Sequence, residues 1–515
     1  MTVHKKLASN AIYLFLGWFS VTFLSFTFWL IVGKMPRSCE GGICYGLPPE
    51  DYGIVSTSLN LIAIVSNILM LGFDSVLSKL IPEYLARKKT KFVYSLIKFS
   101  FKISWITTLM ICLALIIFSS QLSSYLKFSP GVLWIVIGIL FILPFARTTR
   151  FIVFGFQNMK KLFFSDFFAY LIRVLFTALL IFMGLTYFGP LIATGICFFI
   201  MALLRIDLSW FSSKSLRIKN KKWLFTEYAF PALIGSLAWV LFNNTPYIIL
   251  TFFKNTEITG IFTVAMILSS LIVFIPGILT KALFPITSQL SVNRNMKKKQ
   301  VYLINLVLRY NLFTSLPLAL FLIFFSKSII IIFSSRAFLS ASQLFPILTF
   351  ASLIYGCGNL FLSSLYAIGE TKPYRNILIL SSLSYLFISI PLTYFFSAKG
   401  ISFAYGIATL LLAIFSFFSL RKRLHIKLPY SDMIKLIIAT IFSLLFLLIT
   451  TKVTEGILIN IILVVFASLI YLVALSFLKF YKKEDRRILE FLAKKSPILK
   501  KQLNYLVKFF SKLLK

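Results

Sequence analysis

Residues 131–153 read GVLWIVIGILFILPFARTTRFIV, an apolar run whose only charges, Arg147 and Arg150, lie near one end. About 20 such residues, rising about 1.5 Å each, cross the hydrocarbon core of a bilayer as a helix. Similar runs lie near 9–33, 53–75, 97–119, 163–186 and 188–211 in the first half of the chain. A second series lies near 226–252, 257–281, 302–326, 340–366, 375–397, 399–420, 432–451 and 456–479. With 59% hydrophobic and 13% charged residues, a water-facing shell could not cover a core of this size. The expected fold class is therefore all-α: a polytopic membrane protein of about 14 transmembrane helices, with no room for a folded soluble domain.

The net charge of +38 would suggest nucleic acid in a soluble chain, so the placement of the basic residues matters. With the N-terminus inside, all but eight of the 53 lysines and arginines fall at or near inner segments. The exceptions are Lys34, Arg37, Lys127, Lys254, Lys327, Arg336, Lys399 and Lys452. That asymmetry is the positive-inside rule, and it places both termini in the cytoplasm of a plasma or inner membrane. Basic residues confined to short loops form no folded basic face, which argues against a nucleic-acid partner. Cys39 and Cys44 share the first outer loop, where a short disulfide, two free thiols or, least readily, a metal site are the alternatives.

Glu50-Asp51-Tyr52-Gly53-Ile54 and Glu257-Ile258-Thr259-Gly260-Ile261 each open the second apolar run of a half, with Gly53 and Gly260 in corresponding places. Six helices separate the copies, so both enter the membrane from the same side, the parallel kind of transporter repeat. The expected organisation is a six-helix lobe over 1–212, a second over 213–424, two further helices over 425–480, and a basic cytoplasmic tail over 481–515. From Ser496, Leu499, Leu503, Leu506, Phe510 and Leu513 recur at helical spacing among lysines. That pattern suits an amphipathic helix on anionic membrane lipids, or a tail that only sets topology.

An ionisable side chain inside a span costs roughly 2.5 to 3.5 kcal/mol, so each is functional, paired, or close enough to an end to snorkel. Arg173 lies deepest, with Arg205 and Arg309 less far in, while Lys79, Lys281, Arg147 and Arg150 approach the inner rim, where snorkelling competes with function. If their helices surround one cavity, it is cationic and suited to a diphosphate, which guanidinium groups grip through paired hydrogen bonds. The acids Asp74, Asp166 and Asp207 stand near helix ends as candidate ion-coupling groups. Asp166 and Arg173, seven apart, share a helix face and could pair. Asn243 and Asn244 beside Pro246 suggest a helix break that binds hydroxyls or gates, or else satisfies the carbonyls that proline frees. Gly72, Pro231, Pro276, Gly277, Pro285 and Pro317 are candidate hinges. No soluble catalytic motif, metal cluster or cofactor-binding loop is present. A membrane polymerase or glycosyltransferase would need catalytic groups in a substantial outer loop, and the outer loops are short and nearly uncharged.

The chain resembles the polysaccharide-biosynthesis family, the Wzx-type oligosaccharide-lipid flippases of the multidrug/oligosaccharidyl-lipid/polysaccharide (MOP) exporter superfamily. The resemblance is carried by Asp51-Tyr52-Gly53, Leu71-Gly72-Phe73-Asp74-Ser75 and Ile81-Pro82-Glu83-Tyr84 in the first half. In the second it is carried by Gly260-Ile261-Phe262, Leu283-Phe284-Pro285, the stretch from Ala367 to Lys372, Lys399-Gly400-Ile401 and Ala404-Tyr405-Gly406. It implies a fourteen-helix flippase with two pseudo-symmetric lobes and alternating access, not an enzyme. The cargo it implies is a polyprenyl-diphosphate-linked oligosaccharide for cell-surface polysaccharide or glycoprotein glycan, with glycan-assembly enzymes as partners. The multidrug branch shares the architecture but usually carries an acidic residue in the first or seventh span, and no acid lies between Ala8 and Gly33.

Overall fold

The computed structural model describes residues 3–39, 42–212, 221–291, 296–450, 457–482 and 485. The expected amphipathic helix from Ser496 lies outside these residues. The chain begins with α1 (Val3–Lys34), then an antiparallel ribbon of β1 (Pro36–Cys39) and β2 (Gly42–Tyr45). There follow α2 (Pro49–Met70), α3 (Phe73–Ala86), α4 (Thr90–Ile117), α5 (Ser119–Leu126), α6 (Pro130–Gly155), α7 (Met159–Phe182), α8 (Phe188–Arg205) and the short α9 (Ser209–Ser212). After α10 (Lys221–Trp223) and a π-helical turn over Leu224–Ala229 come α11 (Phe230–Phe253), α12 (Thr256–Ser269), α13 (Phe274–Ser291), α14 (Lys297–Phe324) and α15 (Ser326–Phe333). The chain continues through α16 (Phe345–Ala367), α17 (Thr371–Leu424), α18 (Tyr430–Thr450) and α19 (Ile457–Phe477).

Among the described residues, 12 helical segments are long and apolar enough to cross a membrane. The 54-residue α17 is broken at Ser397 (φ 54, ψ −135) into two halves of crossing length. Counting both halves and adding the 21-residue α19 recovers the apolar runs read from the sequence. The chain is a multi-pass membrane protein, and its burial pattern has the polarity that lipid demands. Ser56, Thr57, Ser58, Ser100, Thr148 and Thr149 are fully buried, whereas Phe387, Phe395 and Ile449 are largely exposed, at 69%, 73% and 70%. Lipid tails are as apolar as leucine, so small hydroxyl residues that let backbones approach take the packed faces.

Three local expectations need correction. The second run, read as one helix over 53–75, ends at Met70; Leu71 (φ 46) and Gly72 (φ 78) turn the chain, and α3 restarts at Phe73. Gly72 is required there, because a Cβ would stand 2.0 Å from the carbonyl oxygen of Ala229. At Pro246 no break occurs: α11 runs on to Phe253, and Asn243 and Asn244 each donate to their own i−4 carbonyls, Trp239 and Val240, at 2.8 Å. The run expected from 340 starts instead at Phe345, after 3₁₀ turns over Arg336–Gln343.

The chain divides into two compact units. The first comprises Met1–Ile267, Ile330–Leu344 and Arg375–Ala408. In it α1 packs on α7, α7 on α8, and α2 on α6 and α11. Gly53 and Gly260 meet here: a Cβ on Gly53 would lie 1.8 Å from the Thr256 oxygen, and one on Gly260 would lie 1.9 Å from that of Pro49. Hydroxyls continue the seam, Thr57 to Thr251 at 2.7 Å, Thr251 to Thr259 at 2.8 Å, and Thr263 to Ser56 at 2.8 Å. The second unit comprises Leu268–Ile329, Phe345–Tyr374 and Thr409–Lys515. There α14 packs between α13, α16 and α18, and Phe325, Leu447, Leu463 and Ala467 form an apolar cluster.

Candidate functional site: a basic cavity in the first unit

A cavity of about 700 Å³ opens inside the first unit, lined from α1, α2, α6, α7, α8, α11 and α12. That lies within the range of sites that take a drug-sized ligand. Its polar lining includes Ser56, Asn60 and Ser66 of α2, Arg147 and Arg150 of α6, Arg173 of α7, Thr194 of α8, and Asn244 and Tyr247 of α11. Among the described residues no carboxylate lines it.

Each arginine is held differently. Arg147 donates to Ser66 Oγ at 2.8 Å and Asn67 Oδ1 at 3.4 Å, and pairs with Asp74 at 3.2 Å. Arg150, with its side chain 45% exposed, reaches Asp166 only at 3.9 Å. Arg173 donates from Nε to Thr194 Oγ1 at 3.0 Å, and its Cζ lies 3.7 Å from the ring centroid of Phe28, a stacking that suits a planar, weakly hydrated cation. No described carboxylate pairs with Arg173. The pairing of Asp166 with Arg173 suggested by their spacing is therefore corrected: seven residues place two side chains on one face but about 10 Å apart along the axis. Asp166 instead takes Arg205, which is 1% exposed and also donates to Ser165 Oγ at 2.9 Å and the Ala146 carbonyl at 3.2 Å.

Among the described residues Arg147, Arg150, Arg173 and Arg205 thus face only Asp74 and Asp166, which leaves two positive charges uncompensated at the cavity wall. Arg205 itself does not line the cavity; it is the buried partner that balances Asp166.

The remaining sequence candidates fall elsewhere. Lys79, exposed on α3, sits 4.5 Å over the ring of Tyr228. Asp207 lies beyond α8, where hydrogen bonds from the Ser209 side chain and amide hold its carboxyl below the usual range. Asn243 does not line the cavity, although Asn244 does. Lys281 and Arg309 belong to the second unit. Lys281 is exposed there, whereas Arg309 is buried and pairs with Asp485 at 2.7 Å and Asp432 at 3.6 Å, donates to the Phe480 carbonyl at 2.7 Å, and stacks on the Phe480 ring. Its charge is balanced by protein, so it is an anchor rather than a free cation. Cys44 is disulfide-bonded, and Cys112, Cys197 and Cys357 are free thiols; the side chain of Cys39 is outside the described residues. Sequence reading missed Phe28, Thr194, Asn60 and the Ser66–Asn67 pair, of which only the polar residues inside an apolar run left a signal.

The model of a family described as polysaccharide biosynthesis protein matches residues 44–291, which include the cavity lining other than Leu14, Ser25 and Trp29 of α1. No curated protein matches the chain. Among solved structures, the fold is similar to the lipid II flippase MurJ in an inward closed conformation, at 20% identity and TM-score 0.68, over 91% of this chain and 98% of that one. It is also similar to an inward-facing multidrug resistance MATE family transporter of the MOP superfamily, at 14% identity and TM-score 0.64, over 79% of this chain and 94% of that one. A Vibrio cholerae MATE transporter, VcmN, follows at 16% identity and TM-score 0.53, over 82% of this chain and 97% of that one. The family match, over a little under half of the chain, and the likeness of the fold to MurJ and MATE transporters both agree with the resemblance carried by the motifs.

Proposed function

We propose that the protein is a flippase, not an enzyme, that moves a polyprenyl-diphosphate-linked oligosaccharide from the inner to the outer leaflet of the cell membrane by alternating access. The observation that carries this is the cavity's two uncompensated positive charges, above all Arg173, whose guanidinium has no carboxylate among the described residues. Holding an unpaired cation within a membrane span costs roughly 2.5 to 3.5 kcal/mol, a cost that an anionic ligand offsets. A diphosphate supplies the charge and the paired acceptor oxygens that guanidinium groups bind. Ser56, Asn60, Asn244 and Tyr247 add the donors and acceptors that sugar hydroxyls need.

In this reading the N- and C-termini are cytoplasmic, the lobes divide near residues 212 and 424, and glycan-assembly enzymes supply and consume the cargo. The membrane potential acts on the anion at about 2.3 kcal/mol per charge per 100 mV, so it can contribute to the driving force. A cation-coupled multidrug exporter shares the fold, but a wall bearing three arginines suits a cationic drug poorly. The test is reconstitution in proteoliposomes with a fluorescent lipid-diphosphate oligosaccharide in one leaflet and a cationic dye in the lumen. Outward movement of the lipid without dye efflux supports the flippase; dye efflux without lipid movement supports the exporter.

A further inference from the structure

Arg147 joins the cavity to the elbow between α2 and α3. Its guanidinium lines the cavity, and its carboxylate partner, Asp74, stands in the first turn of α3, directly after the left-handed residues Leu71 and Gly72. The elbow is closely packed: Gly72 abuts the Ala229 carbonyl, and Phe73 is fully buried, edge-on to Phe225 at 5.4 Å. Local bonds hold the turn itself: the Leu71 amide donates to the Ile68 carbonyl at 3.1 Å, those of Ser75 and Val76 to the Gly72 carbonyl at 3.2 and 3.4 Å, and that of Ser75 also to Asp74 Oδ1 at 3.1 Å. The pair is therefore a strut between the cavity wall and a hinge.

A guanidinium cannot give up its proton in this setting, and a phosphate offers it the same paired oxygens as a carboxylate with more charge. An anion entering the cavity competes with Asp74 for Arg147. The second pair does not behave this way. Asp166 loses little when Arg150, already 3.9 Å away, turns to a ligand, because the buried Arg205 remains bonded to it. Asp74 keeps the bond from the Ser75 amide but has no second arginine among the described residues, so it alone loses its charge partner in the exchange.

We propose that Asp74 is the resident counter-anion of the empty cavity, and that a phosphate of the cargo takes Arg147 from it and so releases the α2–α3 elbow. This deepens the flippase reading and rests on it. A ligand shifts a conformational equilibrium only as far as its affinities for the two states differ, and the exchange supplies that difference. Asp74 is thus a positioning residue: it need not touch the cargo, yet it sets both how tightly the cargo is held and whether the hinge responds.

The test uses the full chain in nanodiscs with farnesyl diphosphate as the probe, titrated calorimetrically, while hydrogen exchange is followed at the amides of residues 71–76. In the wild type the probe raises exchange at those amides. Asp74→Asn, which removes the competing charge, binds the probe about tenfold more tightly, a gain of about 1.4 kcal/mol, and shows raised exchange before any is added. Asp74→Glu, which keeps the carboxylate, returns both readouts toward the wild type, as loss of a merely structural side chain would not. Binding to the wild type with no change in exchange overturns the proposal, even if Asp74→Asn fails to fold; so does an Asp74→Asn protein that folds and binds no more tightly. If the wild type does not bind the probe, or Arg173→Ala binds it equally well, the basic-cavity reading falls and the exchange falls with it.

Discussion

Gly53 of α2 and Gly260 of α12 pack backbone to backbone, so that a Cβ on either would lie within 1.9 Å of a carbonyl oxygen of the facing helix. Backbone cannot yield as a flexible side chain can. Gly53→Ala and Gly260→Ala are each expected to separate α2 from α12 and to cost about 1 to 3 kcal/mol or more, the range for overpacking a well-packed site. The check is the unfolding midpoint of each variant in detergent. Gly138, where an added Cβ meets nothing within 4 Å, is the control, and Gly138→Ala should leave the midpoint near that of the wild type.

The arginines should divide into two classes. Arg205→Ala leaves the buried carboxylate of Asp166 with only the distant Arg150, and removing one partner of a buried pair costs about 3 to 5 kcal/mol. Arg173→Ala removes a cation that has no carboxylate among the described residues, so the folded state loses little while anion binding weakens. Thermal stability and farnesyl diphosphate affinity, measured on both variants, should move in opposite proportion: stability falls chiefly in Arg205→Ala and affinity chiefly in Arg173→Ala.

In the second unit, Asp485 ties the segment after α19 to α14 through Arg309, with the Tyr310 hydroxyl as a further donor. Asp485→Asn is expected to lower stability, toward the lower end of about 3 to 5 kcal/mol because Asp432 still faces Arg309. Lys482→Ala, which removes a half-exposed partner of Asp432, should cost no more than about 1 kcal/mol. Comparing the two melting midpoints checks the ranking.

Ser397 holds a backbone conformation natural only to glycine, at the break within α17. Relief of such strain is worth about 1 to 3 kcal/mol, less the entropy that a flexible residue adds to the unfolded chain. Ser397→Gly should therefore raise the unfolding midpoint, and Ser397→Val should lower it.

What the sequence revealed and what it hid follow from the range of the forces involved. Lipid burial imprints on every residue of a span, so the apolar runs were legible, down to the pair of runs that α17 joins. The α2–α3 elbow was not, because one glycine in an apolar run is ordinary, and only the Ala229 carbonyl lying against Gly72 makes it a turn. The depth of Arg173 singled it out, and in the structure its guanidinium meets Thr194 and Phe28, with no carboxylate among the described residues. Depth could not distinguish it from Arg205 or Arg309, whose partners come from other helices: Asp166 lies 39 residues from Arg205, and Asp485 lies 176 from Arg309. Helical periodicity reports neighbours within a few turns, and it offered the wrong partner for Asp166.

In the flippase reading, the uncompensated charge at Arg173 grips the anionic head of a lipid-linked cargo. The most direct measurement is the initial rate of outward movement of a fluorescent lipid-diphosphate oligosaccharide in proteoliposomes containing equal amounts of folded wild type, Arg173→Ala or Arg173→Lys. Charge-assisted hydrogen bonds of about 1.5 to 3 kcal/mol correspond to a loss of roughly tenfold or more for Arg173→Ala at limiting substrate, with partial recovery in Arg173→Lys. A rate unchanged by Arg173→Ala would mean that Arg173 does not hold the cargo.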